Sequence, residues 1–221
     1  MQDELRRLYP DAECALDYAN PWQLLVATIL SAQSTDERVN LVTPSLFRRF
    51  PGPVEMSEAT QEEVETEIQS IGLFRNKAKN LRGAASRLVE LHGGAVPQSL
   101  EALVALPGVA RKTANVVRGV AWGLADGVVV DTHVARLSWR MGFSSERHNV
   151  VKIERDLMWL IPHDDWVMIS HRLIFHGRRV CAARSPRCDV CQLFTWCHSA
   201  GRLESRERRL EQARARKGGN G

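Results

Sequence analysis

The sequence predicts an all-α fold, and three observations predict it. Apolar residues recur at i, i+3 and i+4 in one segment after another. Helix-start and helix-stop residues punctuate those segments at helical intervals. Only "GVVVD" at 127–131 resembles a strand, and it is too short to build a sheet.

Taken in order, Asn20 and then Pro21 read as an N-cap and first helical residue before "WQLLVATILSAQ". Ser34 with Glu37 fits a capping box that opens the next helix, which stops at "PGP" (51–53). Ser57 is expected to start "EATQEEVETEIQSI", with Gly72 ending it as a left-handed residue just past the helix. "NKAKNLRGAASRLVELHGG" has apolar helical spacing and a Gly-Gly stop, and Ser99 opens "LEALVAL". Further helices are expected over 132–141 and 147–160, and Asp165 is expected to cap a last long one reaching about Gly177.

The 221 residues suffice for one large domain or two small ones with a real core. Hydrophobic residues at 44% and charged residues at 25% are an ordinary globular balance. The chain is charged from Asp3 and has no apolar run near the ~18 residues of a membrane span. A cytoplasmic protein is therefore expected. The net charge of +4 is carried by the tail from Gly201 onward, which holds seven Lys and Arg against three Glu, so residues 1–200 sum to zero. An anionic partner would then be met by a local patch. The tail reads as a solvated helical extension or frayed end.

"LPGVARKTANVV" (106–117) places a tight Pro107-Gly108 turn between two predicted helices. The second helix begins near Ala110, and its first-turn amides form a ready anion site at the positive end of a helix dipole. Four of the five cysteines, Cys181, Cys188, Cys191 and Cys197, crowd into seventeen residues as C-x6-C-x2-C-x5-C. In a reducing compartment they read as metal ligands, for iron–sulfur or for zinc. Structural zinc usually takes two knuckle-like pairs, and only one CxxC is present. Cys14 reads as a small buried hydrophobe.

The hairpin, followed nineteen residues after Lys112 by the Asp of "VDTHVAR" (130–136), resembles the helix–hairpin–helix DNA glycosylases. The cysteine spacing resembles their endonuclease III branch, and the likeness runs over roughly residues 20–200. It implies two helical domains: a bundle over 20–124 ending in the hairpin, and an iron–sulfur domain formed by 1–19 with 125–221. Lys112 and Asp131 would face each other across the cleft between them. It also implies a [4Fe–4S] cluster on the four cysteines, and a partner that is double-stranded DNA with damaged bases or abasic sites. The protein would be a nucleoid-associated monomer with no membrane role.

By the same resemblance Lys112 is the amine that displaces the base and forms the Schiff base for β-elimination, and Asp131 is its carboxylate partner. Asp131 reads equally as an N-cap. Leu106, Pro107, Gly108, Val109, Ala110, Arg111 and Thr113 would form the phosphate grip, and Arg184 and Arg187 a basic loop held by the cluster. His133 would lie on the phosphate side. "LSAQSTD" resembles the segment whose Gln, Gln33, plugs the vacated stack, and "IGLFRNKAKN" the opposing wedge with Leu73 at its tip. Val104 and Ser185 depart from the family pattern, which has Glu and a basic residue there. The implied function is removal of oxidised pyrimidines with abasic-site cleavage. A mismatch-directed glycosylase, a non-catalytic or weakly active hairpin DNA-binding protein and a ferredoxin-like carrier remain the alternatives.

Overall fold

The structure, a computed structural model, describes residues 1–200, and the basic tail from Gly201 lies outside the described residues. The helices are α1 (Gln2–Leu8), α2 (Pro21–Ser31), α3 (Asp36–Arg49), α4 (Pro53–Glu58), α5 (Gln61–Ile68) and α6 (Phe74–His92). They continue with α7 (Leu100–Val104), α8 (Arg111–Trp122), α9 (Thr132–Met141), α10 (Val150–Leu160) and α11 (Trp166–Arg179). Among the described residues there is no β-strand, so the fold is all-α. No described helix is long and apolar enough to cross a membrane. The chain divides into two units, Cys14–Asp126 and Met1–Glu13 with the segment from Gly127.

The unit 14–126 is built around α2. Asn20 caps it by accepting from the Gln23 amide at 3.0 Å, with Pro21 as first helical residue. Every residue from Leu24 to Leu30 is buried, so α2 is surrounded by other elements, including α3, α6 and α8. Each such Leu or Ile contributes about 1.5–3 kcal/mol by burial. The inward stripe of α6 is Lys77, Ala78, Leu81, Ala84, Ala85 and Leu88. Its alanines let α4 and α5 lie close. α6 ends at Gly93 and α7 is capped by Ser99, as the sequence predicts.

Three expected boundaries shift. Thr35, not Ser34, caps α3, accepting from the Arg38 amide. Ser57 lies inside α4, its hydroxyl donating to the Val54 carbonyl at 2.7 Å. The true start is Thr60, which forms a complete capping box with Glu63 and opens α5. Between α4 and α5 the chain breaks at Ala59, whose carbonyl accepts from Arg82 Nε at 2.7 Å. Gly72 does not end this helix, because α5 finishes at Ile68 with Gln69 still right-handed.

In the other unit α9 turns Val134, Leu137 and Met141 into a core shared with Ile153 and Leu157 of α10, Ile169 and Leu173 of α11 and Leu5 of α1. Val128 and Val130 join that core from an extended segment without strand partners. Instead the Val129 carbonyl accepts from Ser170 Oγ at 2.9 Å. Asp165 stands at the start of α11, but its side chain does not cap the helix. Its carboxylate is taken by Arg172 at 2.5 Å, Gln2 at 3.2 Å and Arg6 at 3.5 Å, tying α1 to α11.

α9 and α11 approach closely at Gly177. A Cβ there would lie 2.8 Å from Arg136 Nη2 and 2.9 Å from His133 Nδ1. Gly177→Ala should therefore cost about 1–3 kcal/mol, the usual penalty of overpacking. A lowered thermal midpoint would show it, and a wild-type midpoint would mean that Arg136 has room to withdraw.

Candidate functional site

The hairpin lies in the 14–126 unit. Gly108 takes φ +78°, and a Cβ on it would lie 2.7 Å from Asn80 Cβ on α6, so only glycine turns the chain against that helix. The turn is closed by the Val109 amide donating to the Leu106 carbonyl at 3.1 Å. Leu106 and Val109 are buried in the core. Pro107 is half-buried, packed beside Gly83. These two apolar side chains anchor the turn and cannot reach a phosphate, so any grip belongs to backbone amides and to the residues after the turn. Ala110 sits at the N-cap of α8, and among the described residues no side chain caps that end. Arg111 and Lys112 are exposed on its first turn and Thr113 is half-buried. Backbone amides at a helix dipole's positive end, with two cations beside them, are donors of the kind an anion takes.

Gln33 and Leu73 come together in the same unit. Among the described residues they are the only two, glycine apart, with positive φ, +56° and +59°. Left-handed backbone costs about 1–2 kcal/mol for a residue with a side chain. The two loops touch: a Cβ on Gly72 would lie 3.7 Å from the Gln33 carbonyl oxygen. Gln33 is exposed, and Leu73 holds its apolar side chain 57% exposed. Backbone strain of this kind clusters at functional sites.

Asp131, in the second unit, caps α9 as its position predicts, accepting from the Val134 amide at 2.7 Å. It is half-buried. Its neighbour His133 is occupied by Arg136 Nη2 at 3.1 Å. His171 on α11 feels the Asp131 charge, but burial outweighs it and pushes the imidazole below its ordinary range. Lys112 belongs to one unit and Asp131 to the other.

Cys181, Cys188, Cys191 and Cys197 line one cavity, together with Met141, His176 and Leu193. Burial pushes the Cys191 and Cys197 thiols up, and charge on Cys181 pushes both further. Four thiolates would not coexist bare in this cavity, so their chemistry calls for a cationic group. Cys191 Sγ lies 3.6 Å from His176 Nε2, whose other nitrogen meets Tyr9 Oη at 2.8 Å. Burial lowers His176 to about 4, so the ring is neutral. Arg184 and Arg187 are exposed on the intervening loop. Among the described residues no three His, Cys, Asp or Glu side chains converge as the ligands of one ion would.

Residues 26–163 match the HhH-GPD superfamily of base excision DNA repair proteins. The chain is 57% identical to endonuclease III of Synechocystis over 196 residues, 89% of each chain. It is 44% identical to endonuclease III of Bacillus subtilis, over 92% of this chain and 93% of that one. A solved trapped covalent intermediate of an endonuclease III with DNA, an estranged-adenine complex, superposes with a TM-score of 0.85 at 44% identity, covering 90% of this chain and 93% of the other.

Two site residues escape sequence reasoning, Lys77 and Arg140. Each is a long cation at a helical position whose neighbours at i+4 or i−3 are buried apolar residues, and that misplaced charge is the signal that could have found them. Arg140 holds both ends of the cysteine segment. Its guanidinium donates to the carbonyls of Ala182 at 2.7 Å and Ala183 at 2.8 Å, and to Cys181 Sγ at 3.2 Å. Its carbonyl accepts from the Ser199 amide at 3.0 Å and Cys197 Sγ at 3.3 Å. Hydrogen bonds from a charged group are worth about 1.5–3 kcal/mol each, so Arg140→Gln should raise thermolysin cleavage within 182–199 about tenfold or more. An unchanged cleavage rate would show that the segment is held by other contacts.

Proposed function

The chain belongs to the HhH-GPD superfamily and, within it, to the endonuclease III family of base excision repair enzymes, and on that footing we propose that it is a bifunctional glycosylase. It would remove oxidised pyrimidines from duplex DNA and cleave the resulting abasic site. The observation that carries this reading is Lys112, an exposed amine on the uncapped first turn of α8, directly behind the Leu106–Gly108 turn.

A phosphate of the DNA backbone seats on the amides at the start of α8, fixing the strand without reading its sequence. Gln33 and Leu73 enter the stack as the damaged nucleotide turns out. Lys112 Nζ, deprotonated, attacks the anomeric carbon of the sugar, and the bond to the base breaks as the base leaves with the electron pair. The sugar ring opens to a protonated Schiff base on Nζ. Loss of a proton from the adjacent carbon then expels the 3′ phosphate. Positive charge builds on the sugar as the base departs, and the carboxylate of Asp131, held by the Val134 amide, is the fixed anion that offsets it.

Cys181, Cys188, Cys191 and Cys197 would hold a [4Fe–4S] cluster. Bound there, it supplies the cationic charge the crowded thiolates require and pins the loop that carries Arg184 and Arg187.

The trapping experiment tests the reading directly. Borohydride with an abasic-site duplex should give a covalent adduct, and Lys112→Gln should abolish it while leaving DNA binding largely intact. Persistent trapping in that variant would remove Lys112 from the nucleophile's role. Asp131→Asn should slow base release from an oxidised-pyrimidine duplex by about 10²–10³, far more than it slows cleavage at a preformed abasic site. Equal loss of both activities would assign Asp131 to activating the amine or to the helix cap, which a thermal melt separates.

The purified protein should be yellow-brown with roughly four irons per chain, as cysteinyl cubane clusters are. Metal analysis giving one zinc and no iron would overturn the cluster assignment.

A further inference from the structure

Lys77 is a buried cation that the reaction does not use. It is only 5% exposed, on the first full turn of α6. Its ammonium donates to the carbonyls of Leu30 at 2.9 Å and Ala32 at 2.6 Å and to Ser34 Oγ at 3.1 Å. All three acceptors are uncharged, and all three ammonium protons are used. Leu30 and Ala32 lie at the C-terminal end of α2, where a cation also meets the negative end of the helix dipole. Those acceptors flank Gln33 on both sides. The backbone amide of the same residue donates to the Leu73 carbonyl at 3.1 Å. One residue therefore bonds to the chain around Gln33 through its side chain and to Leu73 through its main chain.

We propose that Lys77 is the positioning residue of the base-extruding pair: its ammonium clasps the Gln33 loop to the start of α6 and so fixes the separation and aim of Gln33 and Leu73. The proposal rests on the glycosylase reading above. Both tips stand on left-handed backbone, a conformation that the local sequence does not favour and that outside contacts must hold. The clasp supplies those contacts. It also explains why a Lys occupies the inward stripe of α6 beside Ala78 and Leu81. It explains why Ser34 leaves the cap of α3 to Thr35, since its hydroxyl oxygen accepts from Lys77. Burial pushes the Lys77 ammonium below its ordinary range, and the three oxygens offset that cost.

The test separates extrusion from folding and from chemistry. Lys77→Met keeps the length and apolar stem and removes the donors, and Ser34→Ala removes a single acceptor. Three readouts are taken on the full chain with its metal content matched to wild type: 2-aminopurine fluorescence in a lesion duplex, single-turnover base release from that duplex, and borohydride trapping on a single-stranded abasic oligonucleotide, which has no stack to fill. Lys77→Met should lose the fluorescence rise and slow base release about 10- to 100-fold, the usual effect of misplacing a positioned group. Single-strand trapping should stay near wild type. Ser34→Ala should move the duplex readouts the same way by a few-fold, about one neutral hydrogen bond's worth, and it carries the test if Lys77→Met does not fold.

Wild-type extrusion and base release in Ser34→Ala, or in a folded Lys77→Met, would overturn the proposal. So would equal losses on duplex and single strand, which would reduce Lys77 to a structural lysine. If wild type itself forms no borohydride adduct, the glycosylase reading fails instead, and the two failures are distinct.

Discussion

A buried cation bonded to backbone carbonyls ties down one loop in each unit. Lys77 gathers Leu30, Ala32 and Ser34 in one, and Arg140 gathers Cys181, Ala182 and Ala183 in the other. Taking a charge out of water costs several kcal/mol unless it is fully hydrogen-bonded. Loop carbonyls that would otherwise lack partners provide those bonds, and charge-assisted bonds are the strong ones. The cation satisfies the loop and the loop satisfies the cation. A carboxylate partner would give a comparable ion pair but would fix no backbone.

Local chemistry made much of the fold readable in the sequence. Asn20 with Pro21, Ser99 and Asp131 cap the helices they precede because each side chain reaches an amide two or three residues on. The hairpin was legible for the same reason, since Pro107-Gly108 needs only a turn. The misreadings have different causes. Ser34 and Asp165 stand where a cap belongs, but cations claim their oxygens, Lys77 from another helix in the first case and Arg172 from within α11 in the second. Ser57 was displaced by a Pro at 53 that starts α4 earlier and by the stronger box of Thr60 and Glu63. For Ser34, a local rule cannot see a partner more than forty residues away.

The site was legible to a different depth at each residue. Chemistry-bearing types such as Lys112, Asp131 and the four cysteines stand out by pattern, because the proposed reaction and the proposed cluster would need those groups. Leu106 and Val109 belong to the same motif, yet their side chains are core residues. Their apolar character shapes the turn, and the turn aims the amides. A motif thus mixes residues that touch a ligand with residues that hold the others in place, and burial is what tells them apart.

The cysteine segment extends that distinction. Read from its sequence, the seventeen-residue stretch suggests a loop held by metal alone. The structure gives it other attachments as well: Arg140 at both ends, Leu193 fully buried, and His176 linking Cys191 to Tyr9. Those contacts lie near the first and last cysteines and at the middle of the segment, whereas Arg184, Ser185 and Arg187 are exposed between them. Protein contacts therefore set where the segment begins and ends. What a cluster would add is a further tie at Cys188, in the same stretch as Arg184 and Arg187. A loop anchored in this way can present fixed positive charge to a backbone phosphate at little entropic cost on binding.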